Sequence, residues 1–350
     1  MHMNKSYYSL GLMSGTSMDG VDTSIVQSDG KSKYKAIKDK YFEYPKNIYK
    51  NLTNLRDKIK SSKDLKKHQK QIESVEKEIT IFHAKAVNET LKTTKVNIDF
   101  IGFHGQTIFH NAKEKLSIQL GDGKFLSKLT KKTVVYDFRQ NDLKNGGEGA
   151  PLTPIFHKML AEKFNLAQKK ILPSTQGTFI NIGGITNITR IDSDFNIYAQ
   201  DCGPGMCLVD KWIRLNSKNK IDKDGKIASK GNIKNKIVKD YIMKTYKLLD
   251  NHRGSLDVGD YNLSLVKNLS LEDGAATLIE LTAVNTLEWA ERYSPEKTNL
   301  ILCGGGRKNN FLLERINKYI MIHEDHKLFN LKMIDEFNID GDFVESQAFA

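Results

Sequence analysis

The chain has 350 residues, of which 39% are hydrophobic and 27% charged, and this composition is typical of a globular protein long enough for two lobes. No run approaches the roughly 18 apolar residues that a membrane helix needs, and residues 1–9 lack the pattern of a signal peptide. Three cysteines without a Cys-x-x-Cys pair argue against a disulfide framework or a structural zinc site, so we expect a reducing, cytoplasmic setting. The net charge of +12 comes largely from lysines scattered along helical stretches, which predicts a solvated surface and ranks nucleic-acid binding last.

The first part of the chain alternates short β-prone runs with glycine-rich or polar turns. Strands are predicted at Tyr7–Met13, Val21–Gln27, Ile98–Phe103 and Thr133–Tyr136. Apolar residues that recur every three to four positions predict an amphipathic helix over Asp64–Thr90. The last two strands stop at polar or glycine-containing segments, and open α/β sheets place their ligand sites at such strand ends.

The part of the chain after Gln176 repeats this layout. Strands are predicted at Phe179–Ile182, Ile185–Ile191, Ile197–Ala199 and Asn299–Cys303, with helices over Gly274–Arg292 and from Asn310. A glycine pair joins the first two of these strands, as a glycine-containing turn does near the N-terminus. The recurring plan suggests two related lobes, although the sequence identity between them is low.

Three glycine-containing loops follow predicted strands and are candidates for contact with a nucleotide. The first, Gly15–Gly20, has nearly the spacing of a Walker loop, but Val21 stands where that motif needs lysine, so a P-loop ATPase is disfavoured. The second, Asp201–Gly205, adds a carboxylate that is suited to orient the water molecules of Mg²⁺. The third, Gly304–Asn309, joins a strand to a helix. Each loop alone also fits an ordinary turn, whereas three of them in both halves favour a nucleotide held by both lobes.

Asp137 is the candidate for chemistry, because it follows a strand and precedes Arg139 and a glycine-rich loop, Gly146–Gly149. A positioned carboxylate can take a proton from water or from a hydroxyl group. The alternative is a structural ion pair between Asp137 and Arg139 or a nearby lysine. At the end of another strand, His104 and Gln106 offer hydrogen-bonding groups suited to a sugar.

Taken in order, these motifs resemble those of the anhydro-N-acetylmuramic acid kinase family. The resemblance rests on Gly11–Asp22, Phe103–Thr107, Asp137–Arg139, Gly146–Leu152, Asn181–Asn187, Asp201–Gly205, Gly304–Gly306 with Asn309, and Val344–Ala350. The N-terminal segment and the stretch around Asp137 are the most specific, and the glycine triplet is the least. Two features depart from the family: Met206 stands where relatives often have Asn, and relatives usually continue beyond Ala350, which leaves the completeness of the C-terminal packing open.

The resemblance implies a two-lobed, actin/hexokinase-like (RNase H-like) α/β fold with a central cleft. It also implies that ATP, water and 1,6-anhydro-N-acetylmuramic acid react to give N-acetylmuramic acid 6-phosphate and ADP, in cell-wall recycling. In this family the aspartate that matches Asp137 is taken as the base that activates water against the anomeric carbon. ATP contacts are expected from Gly15, Thr16, Ser17, Met18, Asp19, Gly20, Val21, Asp22, Asp201, Gly203, Gly205, Gly304, Gly305, Gly306 and Asn309. Sugar contacts are expected from His104, Gln106, Arg139 and Glu345, and Mg²⁺ contacts from Asp19 and Asp201, partly through water.

We expect an N-terminal lobe of residues 1–135, completed by residues 341–350, which carries the first phosphate loop and part of the sugar site. A C-terminal lobe of residues 136–340 is expected to carry Asp137, the second phosphate loop and the glycine loop on the adenosine side. The expected partners are ATP and the sugar, with neither nucleic acid nor a membrane, and a homodimer is left open. A related sugar kinase with another substrate and a non-catalytic, actin-like ATP-binding protein remain as alternatives.

Overall fold

The chain folds into two compact units. The computed structural model describes residues 5–167, 177–192, 195–252, 256, 261–293, 298–322 and 329–350. The first unit combines Met1–Leu152 with Phe343–Ala350, and the second is Thr153–Asp342. This boundary differs from the expected one after residue 135, because the strand at Thr133–Tyr136 belongs to the first sheet and the helix after it packs on that sheet. Asp137 therefore lies in the first unit and not in the second.

One mixed sheet forms the centre of the first unit. Its strands are β1 (Tyr7–Ser14), β2 (Gly20–Ser28), β3 (Tyr34–Glu43), β4 (Phe100–Asn111), β5 (Leu116–Leu120) and β6 (Thr133–Tyr136). β1, β2 and β3 are antiparallel neighbours, whereas β4 runs parallel to β1 and β6 runs parallel to β4. Leu12 and Tyr136 both pair in register with Phe103, so β1, β4 and β6 point their carboxyl ends to the same edge. The lysine-rich β3 escapes prediction because it is an edge strand, where lysine is common and alternation is weak.

Helices cover the first sheet and supply its core. They are α1 (Lys46–Lys58), α2 (Ser62–Lys67), α3 (Gln69–Lys92), α4 (Gly123–Thr130) and α5 (Phe138–Lys144). The single helix predicted over residues 64–90 is divided at His68, where the backbone leaves the helical region with φ −106° and ψ 16°. α2 begins with a capping box of Ser61 and Asp64 and buries no side chain, so it lacks the apolar stripe of α3. Ile79 and Val87 of α3 pack in the same core as Leu12.

The second unit is built around a sheet of the same plan. Its elements are α6 (Pro154–Ala167), β7 (Gly177–Ile182), β8 (Ile185–Ile191), β9 (Ile197–Pro204), α7 (Cys207–Asn216), α8 (Asn235–His252), α9 (Leu271–Tyr293), β10 (Thr298–Cys303), α10 (Asn310–Ile322) and β11 (Phe329–Met333). β7, β8 and β9 are antiparallel, and β10 and β11 extend the sheet in parallel to β7. The first unit has β1, β2 and β3 in the places of β7, β8 and β9, with β4 and β6 in the places of β10 and β11. This repeated sheet confirms the predicted actin/hexokinase-like fold class.

The final helix, α11 (Val344–Ala348), belongs to the first unit and packs against β1 and β2. Gly11 and Gly102 are register partners in β1 and β4, and both lie directly beneath this segment. A Cβ atom on Gly11 would lie 1.9 Å from the Ser346 carbonyl oxygen, and one on Gly102 would lie 1.6 Å from that of Phe349. The two strand glycines are therefore required for the close approach of the C-terminal backbone.

Hydrogen bonds complete the attachment of α11. The Oγ atoms of Ser346 and Ser24 are 2.6 Å apart. The side-chain amide of Gln347 donates to both carboxylate oxygens of Asp39 at 3.1 Å and accepts from the Tyr34 hydroxyl at 2.6 Å. The packing of the C-terminal segment, which the sequence leaves open, is thus tight against the first sheet. Over the described ranges, no helix joins the length to the apolar sequence that a membrane span requires.

Candidate active site

Hydrogen bonds and a buried side chain fix the loop between β1 and β2. The Ser14 hydroxyl donates to the Gly20 carbonyl at 2.6 Å and lies 2.8 Å from the Tyr44 hydroxyl. The Met18 amide donates to the Gly15 carbonyl at 3.1 Å, while the Met18 side chain is only 2% exposed. The loop is therefore preorganised, and Met18 acts as its apolar anchor.

The exposed tip of this loop is polar. Thr16, Ser17 and Asp19 are exposed, and the Ser17 hydroxyl donates to a carboxylate oxygen of Asp19 at 2.6 Å. Val21 is fully buried in the core of the first unit, so its side chain is excluded from the nucleotide contact that the sequence predicts. Hydroxyls, a carboxylate and the loop backbone are thus the groups that this segment presents to a ligand.

Gln106 belongs to the support of the same loop. Its side-chain nitrogen donates to the Gly15 carbonyl at 2.9 Å, and the residue is fully buried. Its side-chain oxygen is also buried and has no hydrogen-bond partner within the described part of the chain. These surroundings do not support the prediction that Gln106 contacts the sugar.

His104 bonds to protein groups through both ring nitrogens. Nδ1 lies 2.8 Å from the Gly105 carbonyl, which can only accept, so Nδ1 carries the hydrogen. Nε2 accepts a hydrogen bond of 2.8 Å from Nε of Arg139. Burial, and then the neighbouring charge of Arg139, lowers the pKa of His104 to about 3. His104 is therefore a neutral support for Arg139, and its 4% exposure argues against a direct sugar contact.

Arg139 joins β4 to the glycine-rich loop after α5. Its Nη1 donates to the Gly149 carbonyl at 2.7 Å. The Gly149 amide in turn donates to a carboxylate oxygen of Asp142 at 2.7 Å. Asp142 lies on α5 itself, so hydrogen bonds link α5, the glycine-rich loop and the Arg139 guanidinium group to one another. Asp142 has no signal in the sequence, since a single carboxylate in a polar helix carries no distinguishing pattern.

Asp137 lies between β6 and α5 with its carboxylate exposed. Its backbone is left-handed, at φ 64° and ψ 38°, a conformation that non-glycine residues adopt rarely and often at functional sites. Across the described ranges, the Asp137 side chain makes no hydrogen bond or ion pair. The alternative of an ion pair with Arg139 is therefore not realised, and the carboxylate is open to a ligand or to water.

The C-terminal segment brings an aromatic ring to this group. The ring of Phe349 lies 4.8 Å from that of His104 and 5.2 Å from that of Phe138, measured between centroids. Glu345 is one turn earlier, and its carbonyl accepts from the Phe349 amide at 3.1 Å. Glu345, His104, Arg139 and Asp137 are thus all parts of the first unit. The contribution of Phe349 to the site could not be inferred from the sequence, because nothing local indicates its neighbours.

The glycine loop of the second unit is fixed by an arginine. The Gly304 amide donates to the Gly341 carbonyl at 3.1 Å, and Gly305 at the tip is exposed. The buried guanidinium group of Arg307 donates to the Gly304 carbonyl at 3.0 Å. It also forms ion pairs with Asp335, Asp340 and Asp342. Among the three glycines of the loop, Gly305 is therefore the most open to a ligand, whereas Gly306 is buried beneath it.

Asn309 caps α10. Its side-chain oxygen accepts from the Leu312 amide at 3.0 Å, and the residue is buried. A helix cap accounts for an asparagine at this position without a nucleotide. The predicted ATP contact therefore finds no support in the immediate surroundings of Asn309.

The Asp201–Gly205 segment is buried at the end of β9. One carboxylate oxygen of Asp201 accepts from the Leu256 amide at 2.7 Å, and the residue is only 6% exposed. Gly203 packs against the Asn285 side chain, and the Gly205 amide donates to the Gly184 carbonyl at 3.0 Å. Within the second unit these residues brace the Gly183–Gly184 turn, and the segment does not present itself as an open phosphate loop.

The two carboxylates predicted to bind Mg²⁺ have different surroundings. Mg²⁺ prefers oxygen ligands and usually keeps several waters, with one or two carboxylates and substrate phosphates completing its shell. The exposed Asp19 fits that role, whereas the buried Asp201, bonded to Leu256, does not. The described residues contain no group of three or more His, Cys, Asp or Glu side chains placed to hold a metal ion. A magnesium ion here would therefore depend on the phosphates of a nucleotide.

The chain matches known proteins over almost its whole length. A family model described as anhydro-N-acetylmuramic acid kinase matches residues 7–350. A protein of that name from Pelagibacter ubique is 49% identical over 354 residues, which cover 99% of this chain and 91% of the relative. Another from Rhizobium etli is 34% identical over 344 residues, which cover 97% and 90% of the two chains. Among solved structures, component A of (R)-2-hydroxyglutaryl-CoA dehydratase from Acidaminococcus fermentans is similar at 12% sequence identity and a TM-score of 0.49. The match covers 98% of this chain and 96% of that protein. The family match and the two sequence identities together establish that the chain belongs to the anhydro-N-acetylmuramic acid kinase family.

Proposed function

We propose that this protein uses ATP and water to convert 1,6-anhydro-N-acetylmuramic acid into N-acetylmuramic acid 6-phosphate and ADP. The observation that carries the proposal is the exposed carboxylate of Asp137, which has no hydrogen-bond or ion-pair partner among the described residues. Asp137 follows β6 at the same sheet edge as the loop after β1. Neighbouring strands lie about 4.8 Å apart, so the axes of β1 and β6, with β4 between them, are about 10 Å apart. That distance suits a sugar placed between a carboxylate base and a terminal phosphate.

Asp137 is the base in this proposal. It takes a proton from a water molecule, whose oxygen forms a bond to the anomeric carbon of the sugar. The bond between the anomeric carbon and O6 breaks, and O6 keeps the electron pair. O6 then forms a bond to the γ-phosphorus while the bond between that phosphorus and the β,γ-bridging oxygen breaks, which releases ADP. The proton on Asp137 returns to solvent, so atoms and charges balance.

The nucleotide contacts that we propose are the polar tip of the first loop, with Thr16, Ser17 and Asp19, and the exposed Gly305 of the second unit. The buried glycines and Asn309 support these loops from behind. Mg²⁺, when bound, would neutralise phosphate charge, and Asp19 is the carboxylate that fits it. Phosphoryl transfer depends mainly on positioning and on charge stabilisation, which preorganised loops provide.

A labelling experiment tests both halves of the reaction. The protein is incubated with ATP, Mg²⁺ and the anhydro sugar in ¹⁸O-labelled water, and the product is identified by mass spectrometry. We expect one added phosphate and one ¹⁸O at the anomeric carbon. N-acetylmuramic acid 6-phosphate placed in labelled water for the same time gives the background from spontaneous exchange. A phosphorylated product without label above that background would contradict the hydrolytic step.

The variant Asp137→Asn separates chemistry from folding. Asparagine tolerates the left-handed backbone of residue 137, and no intramolecular ion pair is lost, so we expect an unchanged melting temperature. Turnover should fall by about 10²–10⁴-fold, the usual contribution of a general base. Binding of ATP, measured by calorimetry, should survive. Near-normal turnover in this variant would overturn the assignment of the base.

The same experiments distinguish the alternative functions. A kinase for a sugar without the anhydro bridge would phosphorylate N-acetylmuramic acid or N-acetylglucosamine, supplied in place of the anhydro sugar, with no ¹⁸O above the background from spontaneous exchange. A non-catalytic, actin-like protein would bind ATP and yield no phosphorylated sugar at all. The family membership favours the anhydro sugar over both.

We further propose that the protein works in the cytoplasm, in the recycling of cell-wall sugars, and a homodimer is open to test. All three cysteines are described and are free thiols, as suits a reducing compartment. Cell fractionation tests the location, and light scattering of the purified protein tests the oligomeric state. Recovery of the protein from the periplasm would contradict the first proposal.

A further inference from the structure

We propose that Tyr44 is a positioning residue, which holds both ends of the Gly15–Gly20 loop in the arrangement that binds the phosphates of ATP. This inference rests on the proposed function, since it assumes that this loop contacts the nucleotide. Tyr44 lies in the short connection between β3 and α1, far along the chain from the first residue of the loop. Its contacts within the first unit nevertheless all lead to the loop or to the core beneath it.

The hydroxyl group of Tyr44 is bonded to the start of the loop. Its oxygen lies 2.8 Å from Oγ of Ser14, the last residue of β1. Oγ of Ser14 donates its own hydrogen to the Gly20 carbonyl at 2.6 Å, and a carbonyl oxygen can only accept. The Tyr44 hydroxyl is therefore the donor to Ser14. Burial raises the pKa of Tyr44, so the hydroxyl keeps the proton that it donates.

The backbone of Tyr44 is bonded to the end of the loop. Its amide donates to the Asp19 carbonyl at 2.7 Å, next to the Gly20 carbonyl that Ser14 reaches. One residue therefore contacts the strand end before the loop through its side chain and the last residues of the loop through its main chain. The two ends of the loop are joined across its base by the Tyr44 hydroxyl, the Ser14 hydroxyl and the Gly20 carbonyl in series.

Tyr44 is itself fixed by the core of the first unit. The residue is 4% exposed, and its ring lies 5.0 Å from that of Phe82 and 6.3 Å from that of His83, measured between centroids. Both partners belong to α3. Met18, the apolar anchor of the loop, packs in the same core. Tyr44 thus connects the base of the loop to α3 through contacts that leave the exposed tip free.

The end of β3 also encloses the last residue of the loop. A Cβ atom on Gly20 would lie 2.5 Å from the Phe42 carbonyl oxygen and 2.5 Å from Cε2 of Tyr41. Gly20 pairs with Glu43 in the ladder between β2 and β3, so backbone and ring atoms of β3 surround it. The end of β3 and the residue that follows it therefore hold the base of the loop from one side.

The consequence for the nucleotide is a loop that is held in its binding conformation before ATP arrives. The apparent affinity of a ligand falls with the fraction of the protein that holds the competent conformation. A hydrogen bond of ordinary strength corresponds to about a fivefold change in an equilibrium constant. Loss of the Tyr44 hydroxyl should therefore weaken ATP binding by up to about fivefold, although this hydroxyl never touches the nucleotide.

Three variants and one control test this role. Tyr44→Phe removes the donor and keeps the ring against Phe82. Ser14→Ala removes both bonds of the Ser14 hydroxyl, and a double variant combines the two changes. Tyr241→Phe is the matched control, because the hydroxyl of the 1% exposed Tyr241 donates to the Asn262 carbonyl at 2.7 Å in the second unit. For each protein, we would measure the Kd for ATP by calorimetry, the KM for the sugar, and the melting temperature.

We expect Tyr44→Phe to weaken ATP binding by about threefold to fivefold and Ser14→Ala by about tenfold, with the KM for the sugar within about twofold of the wild-type value. The double variant should bind ATP no more weakly than Ser14→Ala, because the two hydroxyls act in series. Tyr44→Phe and Tyr241→Phe should each lower the melting temperature by about 2–4 °C. Only Tyr44→Phe should change the Kd for ATP.

Two results would overturn the inference. One is a wild-type Kd for ATP in Tyr44→Phe together with the melting shift of the control, which is the pattern of a hydroxyl that only stabilises the fold. The other is additive losses of ATP affinity in the double variant, which would show that Tyr44 does not act through Ser14. Should Ser14→Ala fail to fold, the comparison of Tyr44→Phe with Tyr241→Phe decides alone. A wild-type protein that binds ATP but forms no sugar phosphate refutes the proposed function and not this role, so the two failures are distinguishable.

Discussion

Replacement of Gly102 by alanine tests how the C-terminal segment is attached to the first sheet. The added Cβ atom would lie 1.6 Å from the Phe349 carbonyl oxygen and 2.8 Å from its carbonyl carbon. Both neighbours are backbone atoms, so no side-chain rotation relieves the clash. The backbone at Phe349 would have to retreat by about 1.5 Å or more to restore an ordinary contact distance.

The cost follows from what that retreat disturbs. Overpacking of a well-packed region costs about 1–3 kcal/mol. The movement also strains the bonds of Gln347 to Asp39 and Tyr34, each worth about 1 kcal/mol. We therefore expect the variant to lose about 3 kcal/mol of unfolding free energy in the first unit. At about 2–4 °C per kcal/mol for a unit of this size, the melting temperature should fall by about 6–12 °C.

Thermal unfolding followed by circular dichroism measures this shift, and brief digestion with a carboxypeptidase reports whether the C-terminal segment is released. Gly177→Ala is the matched control, because it is also a buried strand glycine but its Cβ would meet only side-chain atoms, the nearest at 3.5 Å. We expect the control to melt within about 2 °C of the wild type. A Gly102→Ala protein with wild-type melting and unchanged resistance to digestion would refute the described packing of Phe349 on β4.

Three further predictions concern pH, a helix cap and an ion-pair cluster. Burial lowers the pKa of His83 to about 4 and the pKa values of His104 and His157 to about 3, so the unfolded chain binds protons more readily than the folded chain. The contribution of these neutral rings to stability is complete above about pH 6.5, and the free energy of unfolding should fall by about 2 kcal/mol per histidine at pH 5. Denaturant titrations at the two pH values measure this loss, and equal stability at both would contradict neutral, buried rings. Asn309→Ala should cost about 1 kcal/mol through the lost cap of α10 and leave the KM for ATP within about twofold, whereas a KM raised tenfold would restore the predicted nucleotide contact. Arg307→Met should lower the free energy of unfolding in urea by about 2–3 kcal/mol. This cost is smaller than the loss of a fully buried ion pair, because the carboxylate partners of Arg307 are a third to a half exposed. An unchanged stability would show that the cluster does not hold the glycine loop.

Much of the fold could be predicted because its signals are local. The limits of β6 at Thr133–Tyr136 and of β8 at Ile185–Ile191 agree with the predicted ones to the residue. Runs of β-branched residues and turn glycines mark strand ends within a few positions, so no distant partner is needed to recognise them. The edge strand β3 escaped this reasoning, because its lysines weaken the alternation on which the prediction depends.

The residues of the candidate site stand out in the sequence, but the surroundings of each side chain do not. The motif at Gly15–Gly20 contains both the exposed Ser17 and the buried Met18, and no local pattern separates a ligand contact from an anchor. His104 is predicted to contact the sugar, and its hydrogen bond to Arg139, 35 residues later, has no signature in the sequence. Side-chain roles of this kind depend on neighbours from distant parts of the chain.

The sequence by itself determined the family, the places of eight of the eleven described strands and the positions of the polar loops, because these follow from residue types within short windows. β3, β5 and β11 were not predicted. Only the tertiary structure decided that Asp137 belongs to the first unit, that Gly102 lies beneath Phe349, and that both ring nitrogens of His104 bond to protein groups. The physical reason is that burial and hydrogen bonding are properties of pairs, and strand register brings those pairs together across long separations in the chain.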